Sequence, residues 1–545
     1  MKLTKKQKIN LAKNEAMKMA VDTKEQIVSL KSLKDFYIRN LDFIIIITLL
    51  SLLLYTNALN GQFVSDDIPV MQAALSAKSL SSLALQPDLQ LFVYFLMNKI
   101  FGNTPTPLHI ISMLLHLANG ILFFSLLSQL FNKKVAALSV ILFLTHPVNS
   151  ETVSWISGIN YLFNAFVFGI STHLFLLYRN TKKTVYLIAS SIPFILIIVL
   201  TRNVWSFTIP PLLFVIDFLI IQRKLNLKNL IPYVFFIIPA LLFLITLRNP
   251  IQARLQVVGG EIPQTATTAK PTPYLTRLPY SLYSSAILYL YPKNLTLYHE
   301  GDKVNINYLI FMGLITILFL ISILFLLKFN KKLAGLFLFF LFSLAPILAP
   351  IQLTWFVAER YLYLGSVAFA VCVILLLLKI ESKYKMKSFA IPLVMVLALI
   401  YTVRTMIRTQ DWKTPKNLWV ATEKVSPYSI KVHNNLGDIY GGEGDYNRAI
   451  QEFQTAIQIE PNYSYAMHNL GNTYLQIGQI ELAKEQYLKA LKIDPSLYQS
   501  AFQLGRIEYY YKNYPKAIEY MKLAIQINPN YDDAKNALKT IEAIK

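Results

Sequence analysis

The stretch LDFIIIITLLSLLLYTNALNGQFVSDDIP, residues 41–69, runs from an Ile- and Leu-rich segment into a loop with two adjacent carboxylates, Asp66 and Asp67. The apolar part is long enough to cross a bilayer, and backbone in lipid must satisfy its own hydrogen bonds, so it reads as a helix. Carboxylates directly past the end of such a helix lie where a lipid-borne substrate presents its head group. The rest of the chain is read as building a membrane cavity over this loop or bringing an acceptor to it.

Composition sets the class. Of 545 residues 54% are hydrophobic and only 15% charged, which suits an integral membrane protein of more than one domain. The net charge of +22 would suggest nucleic acid in a soluble protein. Here the excess flanks apolar runs, as membrane topology requires, and no nucleic-acid partner is expected. The single cysteine, Cys372, cannot form an intrachain disulfide. Residues 1–40 carry nine Lys and one Arg against four acidic residues and read as a cytoplasmic tail on the anionic membrane surface.

Apolar runs of about 17–25 residues fall near 41–57, 107–131, 134–149, 153–178, 184–201, 204–222, 230–248, 305–328, 332–350, 361–379 and 388–405. Basic residues mark alternate turns as cytoplasmic: Lys133 with Lys134, Arg179 with Lys182 and Lys183, Arg223 with Lys224, Lys331 with Lys332, and Lys379 to Lys387. Eleven spans follow, with the N-terminus inside and the C-terminus outside. A twelfth at 274–291 would invert the later basic turns, so this Tyr-rich segment reads as interfacial or re-entrant.

Most isolated polar chemistry then falls on the outer face. The first outer loop, 57–105, holds the Asp pair and a short apolar helix at 89–100. HPVNSET at 146–152 supplies His146 and Glu151. Thr201-Arg202-Asn203 follows, then a Gly-, Pro- and Thr-rich flap at 248–270, a loop at 291–303, and Ala358-Glu359-Arg360 in the last. His109 and His116, seven apart on one span, suit packing better than a zinc pair, since no further ligand lies near them.

After residue 405 the pattern changes. Pro427, Pro461, Pro495 and Pro529 are each 34 residues apart, and Leu436-Gly437, Leu470-Gly471 and Leu504-Gly505 keep the same step. Ala449, Ala483 and Ala517, with Ala456, Ala490 and Ala524, complete the signature of tetratricopeptide repeats. Residues 406–426 read as a linker or leading helix, with repeats at 427–460, 461–494 and 495–528 and a cap helix to 545. Such a solenoid offers a concave surface for an extended peptide.

Either Asp66 or Asp67 could take the proton of an acceptor hydroxyl, and two close carboxylates raise at least one pKa. The pair could also hold a divalent metal. A plain N-cap ahead of Pro69 is the competing reading for either residue. Arg202 and Arg360 suit an oxyanion such as a lipid phosphate, because guanidinium binds phosphate in a fork. For Arg360 a partner network with Glu359 that locks helix ends competes equally. His146, Glu151 and Glu359 are supporting polar groups.

The order of SDDIP, HPVNSETV, AERYLYL and a terminal repeat array resembles the transmembrane and tetratricopeptide-repeat O-mannosyltransferases of the kind that modify cadherins. These belong to the C-type glycosyltransferases, with the protein O-mannosyltransferases. The resemblance covers nearly the whole chain. It implies a polyprenyl-phosphate sugar donor, transfer outside the cytosol, and a first-loop carboxylate, Asp66 or Asp67, as base or acceptor-binding group. The family's AER and HP-x-x-x-E segments match Ala358-Glu359-Arg360 and His146 to Glu151. Where animal members commonly carry a Lys-Glu pair, this chain reads Thr201-Arg202-Asn203, keeping the cation without the carboxylate. An Ile-, Lys- and Asn-rich composition points to a prokaryotic plasma membrane, with the repeats extracytoplasmic.

The expected fold is all-α: a polytopic bundle over 41–405, C-type glycosyltransferase-like, followed by a tetratricopeptide solenoid. The expected function is transfer of a mannose-like sugar from a polyprenyl-phosphate donor to a hydroxyl of a protein held by the repeats. Two alternatives are a non-enzymatic membrane-anchored scaffold for envelope proteins and a lipid-linked-sugar transporter. The second would need charges at mid-membrane, and few are present.

Overall fold

The computed structural model describes residues 27–77, 79, 83, 88–201, 203–246, 274–299, 305–349, 355–386 and 388–543. The flap at 248–270, Arg202 and most of the basic tail lie outside the described residues. Among the described residues there are helices and no strands. The chain divides into two compact units. One comprises 1–249, 273–297 and 305–414; the other comprises 250–272, 298–304 and 415–545.

The first unit is a polytopic membrane bundle. Among the described residues eight helices are long and apolar enough to cross a bilayer: Leu41–Asn60, Thr106–Leu130, Ile156–Thr181, Thr184–Thr201, Leu227–Ile245, Ile306–Phe329, Gly365–Lys383 and Ala390–Asp411. They vary in what they face. Ile306–Phe329 has a mean hydropathy of 3.0 yet only 17% of its apolar window is buried, so most of its surface is left for lipid. Ile156–Thr181 is 61% buried and carries the bundle core, where Phe168 packs on Phe123 and Phe339.

The other three expected spans are shorter helices, and proline explains each. Lys133–Thr145 stops at His146-Pro147 after about 20 Å of rise. Val204–Ile220 begins as a 3-10 turn, carries Pro210 and Pro211, and ends in a π-turn. Lys331–Ser343 gives way to turns around Pro346. The segment Tyr274–Leu290 is a 17-residue helix with Pro279 inside it. It buries Leu282, Ser285, Leu288 and Tyr289 in protein. Tyr289 stacks on Phe369 at 5.2 Å and donates to the Leu362 carbonyl. His116 is held by Tyr363 at 2.7 Å and the Leu144 carbonyl at 3.3 Å, so it is a packing residue.

The second unit is the repeat array. Helices Ile430–Gly442, Tyr446–Ile459, Ser464–Gln476, Ile480–Ile493, Tyr498–Tyr510 and Tyr514–Ile527 pair as three hairpins, and Asp532–Ala543 caps them. Close approach depends on the small residues: Ala449, Ala456, Ala483, Ala490, Ala517 and Ala524 are all fully buried. A Cβ on Gly471 would lie 2.8 Å from the Tyr487 ring, so the Leu-Gly step is needed for the two helices to meet. The helix Pro415–Val425 belongs to this unit and lies one 34-residue step before Tyr446–Ile459. Its Trp419 takes the place of Phe453, Tyr487 and Met521.

Candidate functional site

The two carboxylates of the first loop have opposite environments. Asp67 is fully buried at the start of the helix Asp67–Ser76. One carboxylate oxygen accepts from the Val64 amide at 3.1 Å. The other accepts from the Tyr94 hydroxyl at 3.0 Å, the Ser157 amide at 2.8 Å and the Ser157 hydroxyl at 2.5 Å. The chain can therefore close a tight turn with Ser65 at φ 52°, a left-handed conformation that a non-glycine residue adopts only when its surroundings hold it. Burial pushes the Asp67 carboxyl up to about 6, against the pull of these donors.

Asp66 sits at the helix N-cap but makes no capping bond, and it is exposed. Among the described residues no hydrogen bond or ion pair engages its carboxylate. The turn that Asp67 closes thus presents Asp66 as a free carboxylate. Both oxygens of Asp67 already face N–H and O–H donors, so a divalent ion at the pair would share Asp67 with them.

Ser157 links the loop to HPVNSET. It follows that segment in the turn Ile156–Gly158, and its hydroxyl also accepts from Gln90 Nε2 at 2.7 Å. Asn160 extends the chain to Gln90 Oε1 at 3.2 Å. The backbone is tight here. A Cβ on Gly158 would lie 2.5 Å from the Thr152 carbonyl oxygen.

Glu151 and Arg360 form a second cluster. The Arg360 amide donates to Glu151 at 3.2 Å, and its Nη1 pairs with the other Glu151 oxygen. Both side chains are buried, and the guanidinium lies over Trp155 at 5.1 Å and Tyr361 at 4.9 Å. Glu359, the chain neighbour of Arg360, turns elsewhere. It accepts from the Thr296 amide and from Arg408 at 3.2 Å, and Arg408 also pairs with Asp411 at 2.8 Å. Burial pushes the Glu359 carboxyl up despite Arg408. One Glu359 oxygen is buried without a hydrogen-bond partner among the described residues.

Stacked tryptophans join the clusters. Trp155 and Trp412 lie 5.8 Å apart and nearly parallel, with Arg360 over the first and Arg408 over the second. The Gln62 amide donates to the Lys413 carbonyl at 2.9 Å, which ties the Asp loop to the same corner. His146 is used structurally. Its Nε2 donates to the Tyr289 carbonyl at 3.1 Å, and its Nδ1 accepts from the Val148 amide at 3.2 Å.

Three segments far apart in sequence therefore meet: the Asp loop, HPVNSETVSWISG and AERYL. Sequence reasoning missed Tyr94, Ser157, Trp155, Arg408, Asp411 and Trp412. Arg408 and Asp411 could have been found, since they are three apart on a helix that runs on past the last apolar residue. Arg202 lies outside the described residues.

The profile of the dolichyl-phosphate-mannose-protein mannosyltransferase family matches residues 86–248, and the tetratricopeptide repeat matches 428–496. The chain is thus similar to protein O-mannosyltransferases over part of its membrane unit, and it carries tetratricopeptide repeats. The protein O-mannosyl-transferase F38B6.6 of Caenorhabditis elegans is 25% identical over 470 residues, covering 78% of this chain and 63% of that protein. Protein O-mannosyl-transferase TMTC3 of Homo sapiens is 22% identical over 403 residues, 66% of this chain and 43% of its own. TMTC4 of Homo sapiens is 30% identical over 97 residues, 18% of this chain and 13% of its own. The chain thus spans less than two thirds of these curated relatives.

Proposed function

We propose that the membrane unit transfers a mannose-like sugar from a polyprenyl-phosphate carrier to a hydroxyl of a protein acceptor outside the cytosol. The observation that carries this reading is the split of the Asp pair. Asp67 fixes the loop, and Asp66 remains an exposed carboxylate beside the end of a membrane helix. Asp66 takes the proton of an acceptor Ser or Thr hydroxyl, whose oxygen attacks the anomeric carbon. The bond to the carrier phosphate breaks, the phosphate keeps the electron pair, and the anomer inverts.

Arg360 and Arg202 hold that phosphate. Glu151 and Tyr161 engage Arg360 but leave further N–H donors of its five for an oxyanion. The loop also borders a small cleft lined by Phe63, Met71, Leu75 and Tyr94. The repeats present the acceptor polypeptide. The N-terminus is cytoplasmic and the repeats lie outside, in a prokaryotic plasma membrane.

The test is sugar transfer from a polyprenyl-phosphate mannose donor by full-length protein in lipid nanodiscs. Asp66→Asn should lower the rate at least 100-fold, within the range of a lost general base, and leave the melting temperature unchanged. Wild-type rates in Asp66→Asn would end the proposal.

A further inference from the structure

The start of the repeat array breaks the pattern that the rest of it keeps. Glu423 lies on Pro415–Val425, His433 on Ile430–Gly442 and Glu452 on Tyr446–Ile459. Stepping by 34 residues, Glu423 is replaced by Ile457, Leu491 and Ile525. His433 is replaced by Met467 and Ala501, and Glu452 by Gln486 and Tyr520. The later positions of Glu423 and His433 form an apolar seam between hairpins: Ile457 packs in one cluster with Met467, and Leu491 in one with Ala501. Two ionisable side chains at a seam built elsewhere for apolar contact, with a third beside them, cost desolvation that a structural role does not require.

Their geometry is that of a ligand set. One ligand atom from each of the three lies within 4.8 Å of the others. His433 is 5% exposed, and its two ring nitrogens face different groups. Nε2 is 2.8 Å from the Pro427 carbonyl oxygen, which can only accept, so Nε2 carries a hydrogen. Nδ1 is 2.7 Å from Glu452 Oε2. In the neutral ring Nδ1 is then a bare lone pair facing a carboxylate, with the Glu423 carboxylate beside both. Such a cluster of acceptors needs a shared proton or a cation at its centre. A histidine whose far nitrogen donates to a backbone carbonyl is also the usual arrangement of a metal-binding imidazole. Lys424, which is exposed, is a further charge that acts on Glu423.

We infer that Glu423, His433 and Glu452 form a binding site for a divalent transition-metal cation, Zn²⁺ by the chemistry of one imidazole and two carboxylates. Tetrahedral zinc with ligands near 2.0–2.2 Å sets them roughly 3.4 Å apart, which small rotations of the two glutamates supply. The protein gives three ligands and leaves the fourth position to water or to a side chain of a bound partner. The ion joins three consecutive helices at the first step of the array, where the stack has no preceding hairpin to support it.

The experiment uses full-length protein in detergent, stripped with chelator and titrated with Co²⁺, then with competing Zn²⁺. One Co²⁺ per chain should bind, with the visible absorption bands of a tetrahedral site, and Zn²⁺ should displace it and raise the melting temperature of the repeats. The triple variant Glu423→Ile, His433→Met, Glu452→Gln installs the residues of the following repeat, a combination the chain already folds around. It should lose the Co²⁺ bands and the Zn²⁺-dependent shift while keeping its helix content. Absence of a stoichiometric Co²⁺ spectrum in the wild type overturns the inference, as does equal metal binding by the triple variant. The first result would mean that His433 holds a proton between the two carboxylates instead.

Discussion

Replacing Glu151 by Gln tests whether the meeting of HPVNSET and AERYL depends on one buried ion pair. Glu151 is fully buried, and the Arg360 side chain is 7% exposed. The substitution keeps the shape but strands the guanidinium charge against Trp155 and Tyr361, away from water. Breaking a buried pair from one side costs about 3–5 kcal/mol, because the remaining charge is uncompensated. The amide oxygen of Gln can still accept from the Arg360 backbone, which puts the cost near the lower end. At about 2 °C per kcal/mol for a body this large, the melting temperature should fall by roughly 6–10 °C. Cys372 supplies the assay: it is the only cysteine in the chain and is packed against the bundle core, so a thiol-reactive fluorophore reports unfolding of the membrane unit. Adding Arg360→Met removes the stranded charge and should restore at least half the loss, since an apolar pair is tolerated where a lone charge is not. A fall below 2 °C in Glu151→Gln, or a double variant whose loss is the sum of the two singles, would refute the reasoning.

Asp67 should make stability depend on pH. Burial raises its pKa from 3.8 to about 6, so between these values the folded chain holds a proton that the unfolded chain releases. The stabilisation is complete below the unfolded value and is lost as pH rises through about 6, an amplitude of about 3 kcal/mol. Melting followed by tryptophan fluorescence from pH 4 to 7 should show this slope in the wild type and a flatter one in Asp67→Asn; equal slopes would exclude Asp67 as its source. In the repeats, Gly471→Ala drives a methyl into the Tyr487 ring and should cost about 1–3 kcal/mol. Gly505→Ala meets the mobile end of Met521 and should cost less, which helix melting by circular dichroism of the two variants would check.

What was legible in the sequence follows from the range of the forces involved. The 34-residue step is local, since each hairpin repeats the same small residues at the same contacts, and the tetratricopeptide match spans 428–496. Apolar runs mark helices because lipid permits little else, but their ends depend on single prolines. Pro147 and Pro346 therefore shortened two expected spans. Which of Asp66 and Asp67 anchors the loop was not legible. It is decided by Ser157, ninety residues on, which reaches Asp67 and not Asp66. Glu359 and Arg360 invite pairing because they are neighbours. Adjacent side chains leave the backbone in different directions, however, and each found its partner on another segment, Arg408 and Glu151.

The same physics explains why two adjacent carboxylates serve a site better than one. A carboxylate that holds a loop in a left-handed turn must fill its lone pairs with donors, and Asp67 accepts four. Buried and engaged in this way, those oxygens are out of reach of a substrate hydroxyl. A carboxylate left free for that work cannot anchor anything, and on a mobile loop its position would drift by more than a proton transfer tolerates. Placing the two acids next to each other separates the tasks. The buried one sets the backbone, and the backbone positions the exposed one, the base under the proposed function. Deleting the anchor should therefore lower transfer even though Asp66 is intact, and moving the pair apart by a single inserted glycine should lower it as much.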